Sequence, residues 1–314
     1  MGLKILYKKA QKIYNVLVIH KGAVMPYIFL MLACFSSSLI NIASGYFNKR
    51  TVNKKDAQMI YTFITFCSSL VMWGIMYAIS FSFDAKVLPY SVMFGVFLTM
   101  GTMGNIFALK TGPIVLTSLL VQISTVAVAV WGVIFWSEKF TTKIIIGMVL
   151  VLVLLFLCLY TKKEEGTRTQ KITLKWLFFV MLAFVGNGAC LIVQKTQQIT
   201  FGNLHGNMLM FFAMIVCVIA GTVVLLISDK SDIKPIVKRG GVFASLVGIA
   251  NGLLNLFVIL ITKTDLKSSL VYPTLAVGGL ILTSLLSIVL FKERLKWWQW
   301  IGVAIGIIAV GLLS

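Results

Sequence analysis

Apolar runs of about 20 residues alternate with short polar segments along almost the whole of this 314-residue chain. Ten such runs stand at roughly 25–47, 57–81, 89–110, 113–136, 141–160, 173–196, 206–228, 241–263, 267–291 and 296–314. At 1.5 Å rise per residue, each is long enough to cross a hydrocarbon core of about 30 Å as a helix. The nine acidic residues, Asp56, Asp84, Glu138, Glu164, Glu165, Asp229, Asp232, Asp265 and Glu293, all fall at or beyond the edges of these runs. A carboxylate at mid-membrane costs about 3 kcal/mol even on lenient insertion scales, so their exclusion marks the runs as membrane spans. The pattern predicts an all-α polytopic membrane protein with ten transmembrane helices. Pro26, Pro89 and Pro113 sit at span starts, where a missing N–H costs little. Pro273 lies inside the ninth run and predicts a kink or local unwinding there.

Composition agrees, with 59% hydrophobic and only 12% charged residues, about half the charge of a soluble domain. The net charge of +19 is spread over loops and the N-terminal tail, with no aromatic-interleaved basic face. That excludes nucleic acid as the partner and points to anionic lipid headgroups. Residues 1–24, with Lys8, Lys9 and Lys12 among Leu6, Tyr7, Ile13, Tyr14 and Leu17, read as a basic amphipathic segment on the membrane surface, not a cleavable signal. The five cysteines have no C-x-x-C spacing, and the two histidines, His20 and His205, stand at span edges. No metal site and no cofactor are expected.

The chain also repeats itself. Met31-Leu32-Ala33 recurs as Met181-Leu182-Ala183, and Cys67 falls on Cys217, both at an offset of 150. Glu138-Lys139-Phe140 followed by Gly147 matches Glu293-Arg294-Leu295 followed by Gly302, at an offset of 155. Two halves of five spans, 25–160 and 173–314 with a connecting loop at 161–172, must enter the membrane from opposite sides because five is odd. Such an inverted repeat is the sequence trace of a duplicated transporter. On these junctions and the duplication after the fifth span, the chain resembles the EamA-type members of the drug/metabolite transporter superfamily. The resemblance implies a central cavity enclosed by the first four helices of each half, with the fifth and tenth outside it. It also implies a multi-pass protein of a prokaryotic plasma (inner) membrane.

Small residues at four-residue spacing, Ala244, Gly248 and Gly252 on the eighth span and Gly302 and Gly306 on the tenth, predict close helix packing. Polar groups at mid-span are the candidates for a substrate path. They are Ser37, Asn41 and Ser44 on the first span, Thr102 and Asn105 on the third, and Ser118 and Gln122 on the fourth, with Thr125 on the same face. The sixth offers Asn187 and Gln194, the eighth Asn251 and Asn255 at i,i+4 spacing, and the ninth Tyr272, Thr274, Thr283 and Ser287. Ser and Thr can satisfy themselves against the i−4 carbonyl. An unpaired buried amide costs about 2 kcal/mol, so the Asn and Gln side chains are expected to bond across helices or to face water. Lys110 and Lys263, at corresponding ends of the two halves, would attract an anion if the cavity reached them. Glu138 and Glu293 read as headgroup-level ion pairs that orient the next helix.

Together these features predict a secondary transporter or facilitator for a small organic metabolite, an amino acid or related compound, working by alternating access. The alternatives are carriage of phosphorylated or anionic metabolites or lipid-linked head groups, or proton-coupled drug export, which the missing mid-span acid disfavours. There is no G-x-x-x-x-G-K-S/T phosphate loop and no cluster of nucleophiles and acids at one depth, so no enzyme is expected.

Overall fold

In hydrocarbon every backbone N–H and C=O must be bonded within the segment, and for a single apolar run that means a helix. A computed structural model of the chain describes residues 25–51, 57–112, 114–138, 141–159, 173–227, 233–264, 266–291 and 297–313. The N-terminal segment 1–24 and the loop 161–172 lie outside the described residues. Among those described, the chain forms α1 (Met25–Arg50), α2 (Ala57–Ile79), a 3-10 turn (Ala85–Val87), α3 (Leu88–Thr111), α4 (Ile114–Phe135) and α5 (Thr142–Leu159). It continues as α6 (Leu174–Thr200), α7 (Gly206–Ile227), α8 (Ile233–Thr262), α9 (Ser268–Phe291) and α10 (Trp297–Leu313). Eight helices are long and apolar enough to cross a membrane; α5 and α10 carry shorter apolar stretches, Ile144–Leu157 and Trp300–Ala309. The protein is an all-α polytopic membrane protein.

Two helices run past the expected span edges. α8 begins at Ile233 instead of 241, with Lys234, Lys238 and Arg239 exposed while Ile236 and Gly240 are buried. α6 continues to Thr200 instead of 196. Hydropathy marks where hydrocarbon begins, whereas a helix stops only where its hydrogen bonding is interrupted. Pro235 sits in the first turn of α8, where no intrahelical donor is lost. Pro273 does not unwind α9, which is helical through Ser268–Phe291 and buried on all sides from Ser268 to Val277.

The chain divides into two compact units, Met1–Gly95 with Val193–Leu266, and Val96–Ile192 with Lys267–Ser314. Neither unit follows the two five-helix halves; each takes helices from both. In the first unit α1 and α2 pack on α8, and α7 packs on α2 and α3. The small-residue stripe of α8 is the contact surface. A Cβ at Gly248 would overlap the Thr65 carbonyl oxygen, and one at Gly252 would overlap Met72. Across this seam the Thr65 hydroxyl donates to the Ala244 carbonyl (3.3 Å) and Ser69 to that of Gly248 (2.7 Å). On the other flank, a Cβ at Gly95 would stand 2.7 Å from the Ala213 carbonyl oxygen, and the Cys217 thiol donates to the Gly95 carbonyl (3.5 Å).

In the second unit α3 crosses α6, α4 packs on α9, and α5 packs on α10. Gly101 faces the backbone of Gly186 and Asn187, and Gly104 faces that of Ala183. Gly306 of α10 has no room for a Cβ beside Leu154 and Val277, so the close packing predicted for the tenth span is present. Contacts α4–α5, α9–α10 and α5–α9 add to this unit.

Gly248→Ala is therefore expected to destabilise the protein by about 1–3 kcal/mol through overpacking against a backbone carbonyl that cannot move aside. Gly241→Ala on the same helix, where a Cβ would meet only Val237 Cγ1 at 3.4 Å, should be neutral or slightly stabilising. Thermal unfolding of the two variants in detergent checks the contrast.

Candidate functional site

The second unit holds a column of polar groups that leads inward from one helix end. At its edge is Glu138, just past the end of α4. One carboxylate oxygen accepts the backbone N–H of Ser268 (2.9 Å) and the other that of Ser269 (3.2 Å). The carboxylate thereby satisfies two of the unbonded donors at the start of α9 and meets the positive end of its dipole. Glu138 was expected to form an ion pair and orient the next helix; its carboxylate also holds the start of α9, 130 residues away in sequence.

One turn further along α9, Tyr272 is buried, within electrostatic reach of both Glu138 and Cys190. The Cys190 thiol donates to the Asn187 carbonyl (3.1 Å). The Asn187 amide, on α6, donates to the Ser124 hydroxyl of α4 (2.7 Å) and lies 3.4 Å from both Thr125 Oγ1 and the Val121 carbonyl. Ser124 in turn donates to the Val121 carbonyl (2.6 Å). Three hydroxyls in this unit, those of Thr99, Ser269 and Tyr272, are buried with no hydrogen-bond partner among the described residues.

Of the remaining candidates, several bond locally. Ser44 donates to the Ile40 carbonyl (2.6 Å) and pairs with the Tyr61 hydroxyl at 2.5 Å. Thr102 and Thr283 donate to the i−4 carbonyls of Leu98 and Gly279 (2.8 and 2.6 Å). Asn255, expected to bond across helices or face water, does neither. Its amide donates back along α8 to the Asn251 carbonyl (2.9 Å) and side-chain oxygen (3.1 Å). An asparagine can reach the i−4 carbonyl much as Ser and Thr do. Ser37, Asn105, Ser118 and Gln122 are half-buried, and Asn41 is exposed. Among the described residues neither Asn105 nor Gln122 makes a side-chain hydrogen bond. Lys110 is exposed over the Phe107 ring, 5.9 Å from its centroid, while Lys263 is half-buried.

Several polar groups were not anticipated. Gln197 and Gln198 lie with Gln194 fully buried at the end of α6. Gln197 donates to the Leu204 carbonyl (3.0 Å) and accepts from Gln198. Placing the span edge at 196 hid them, although three glutamines within five residues of an apolar helix was a readable signal. Trp176, near the start of α6, is 2% exposed and donates to the Thr117 hydroxyl (2.9 Å). Trp73 is fully buried, whereas Trp131 is exposed and stacked on Phe135.

No family model matches the chain, and no curated protein does so either. A solved crystal structure is similar to it with a TM-score of 0.70 at 14% identity, covering 93% of this chain and 97% of that one. Likeness at this identity concerns the fold alone.

The Asn187–Ser124 bond should be energetically real. A double-mutant cycle of Asn187→Ala and Ser124→Ala, followed by unfolding in detergent, should give a coupling of about 1 kcal/mol, within the range for interhelical hydrogen bonds in membranes. A coupling near zero would mean the two groups are better served by other partners.

Proposed function

We propose that this chain is a secondary transporter or facilitator that moves a small organic metabolite, such as an amino acid or related compound, across the membrane by alternating access. In this reading it is an EamA-like member of the drug/metabolite transporter superfamily, with ten spans in two inverted halves.

The observation that carries the reading is the helix packing. Raising or lowering each helix number by five turns α1–α8 into α6–α3, α2–α8 into α7–α3, and α4–α5 into α9–α10, all of which are packed pairs. The pairs α2–α7, α4–α9 and α5–α10 turn into themselves, and the weak pair α5–α9 is the exception to the correspondence. The correspondence extends to single bonds. Ser69 of α2 donates to the Gly248 carbonyl of α8, and Cys217 of α7 donates to the Gly95 carbonyl of α3. On this criterion Cys217 answers to Ser69, not to Cys67. Two half-structures that make the same contacts in opposite orientations can exchange roles, which is the physical basis of alternating access.

The polar side chains add the means of contact with a solute. Asn187 is held in place by α4, while Asn105 and Gln122 keep their amides uncommitted among the described residues. A neutral, amide- and hydroxyl-lined path suits a zwitterionic or uncharged polar solute better than a lone cation.

Uptake into proteoliposomes, screened over amino acids and related metabolites with an imposed pH or potential gradient, tests substrate and coupling together. Gln122→Leu should lower uptake of the solute found about tenfold, the loss from one hydrogen bond of about 1.4 kcal/mol, with the unfolding midpoint unchanged. Turnover of a substrate by detergent-solubilised protein, with no compartments present, would favour a membrane enzyme instead.

A further inference from the structure

We propose that Glu138 is the latch of a gate at the α4–α9 end of the second unit, and that its release opens the polar column behind it. The proposal deepens the transport reading by placing an opening, but its test reads opening alone and needs no transported solute.

The backbone directs the carboxylate inward. After Phe135 the chain turns through Ser137, which takes the left-handed conformation (φ 55°) that a serine seldom adopts. The Glu138 N–H then returns to the Gly132 carbonyl (3.3 Å). This aims the side chain at the start of α9 rather than along the membrane surface. The two helix ends are in near contact, since a Cβ at Gly132 would stand 3.2 Å from Ser268 Cβ and 3.3 Å from Glu138 Cδ. The closure includes two charge-assisted hydrogen bonds from backbone donors, and both are lost together if the carboxylate swings away.

What lies behind the closure argues for two states rather than a permanent cap. A buried hydroxyl without a partner is costly, and native interiors leave few of them. With the latch closed, the Ser269 and Tyr272 hydroxyls are both 1% exposed and lack partners among the described residues. Ser269 is in the first turn of α9, whose amides Glu138 holds, and Tyr272 stands one turn further on. Displacing the carboxylate from those amides lets it, or entering water, satisfy these hydroxyls, while the freed amides are hydrated. The closed arrangement thus leaves unmet two hydroxyls near the latch that opening would serve, and two arrangements of similar hydrogen-bond number are what a gate requires. Continuing inward, Cys190, Asn187 and Ser124 are joined by hydrogen bonds, and Cys190 lies within electrostatic reach of Tyr272.

The native Cys190 thiol reports on the gate. It is buried within electrostatic reach of Tyr272, and Cys217, also buried, in the first unit, is an internal control. The experiment follows modification of both thiols by methyl methanethiosulfonate in nanodiscs, resolved by peptide mass spectrometry. Glu138→Gln weakens the closure and should speed Cys190 modification several-fold without changing Cys217. Ser269→Ala with Tyr272→Phe removes the groups that opening satisfies and should slow it. A Gly132→Cys, Ser268→Cys pair, whose Cβ atoms would stand 3.2 Å apart and need to separate by only a few tenths of an ångström to reach the range of a disulfide, about 3.5–4.5 Å, should suppress Cys190 modification when oxidised and restore it on reduction. Three results would overturn the proposal: an unchanged Cys190 rate in Glu138→Gln, a parallel rise at Cys217, or no effect of the oxidised pair.

Discussion

A polar atom inside a bilayer has no water to turn to, so it must find its partner within the protein. That constraint governs nearly every polar contact in this molecule. Serine and threonine at mid-span bond to the carbonyl one turn earlier, as Ser44, Thr102 and Thr283 do. Others bridge helices, as when Ser69 donates to the Gly248 carbonyl or Asn187 to Ser124. Even the carboxylate of Glu138 is used to satisfy the open donors at the start of α9. The described groups that escape the rule occur in both units: Ser38, Trp73, Tyr77, Gln194 and Gln198 in the first, and Thr99, Ser269 and Tyr272 in the second.

The same constraint explains the use of small residues. Apolar association is weak in lipid, so helices gain contact by bringing their backbones together. Gly248, Gly95, Gly101 and Gly306 each sit where a neighbour leaves no space for a side chain. These seams fix which helices are partners, and the partner list is what relates one half of the chain to the other in the proposed transport cycle. Rigid glycine seams beside a few uncommitted amides are the division of labour that such a cycle needs: the seams move as bodies, and the amides meet the solute.

Most of the architecture was legible in the sequence because acids are so costly in hydrocarbon. Their placement located the apolar helices, and the four-residue spacing of Ala244, Gly248 and Gly252 announced the packing stripe of α8. Helix ends were less legible, since Lys234, Lys238 and Arg239 lower hydropathy without interrupting the helix. Individual side-chain roles were the least legible. Asn255 has the composition of a cavity residue but bonds along its own helix, and Trp176 has the position of an interfacial residue but is buried on Thr117. Glu138 sits at the span edge that hydropathy predicted, yet its partners are 130 residues distant in sequence. A spacing rule reads one helix at a time, so it cannot identify contacts made between helices far apart in the chain.

The central claim is that the polar interior faces each side of the membrane in turn. It is tested most directly by a single cysteine at Gln122 in a background with the native cysteines replaced. The measurement is labelling by a membrane-impermeant thiol reagent, applied in turn to right-side-out and inverted vesicles. Alternating access predicts modification from both sides. Modification from one side only, or from neither, would contradict it.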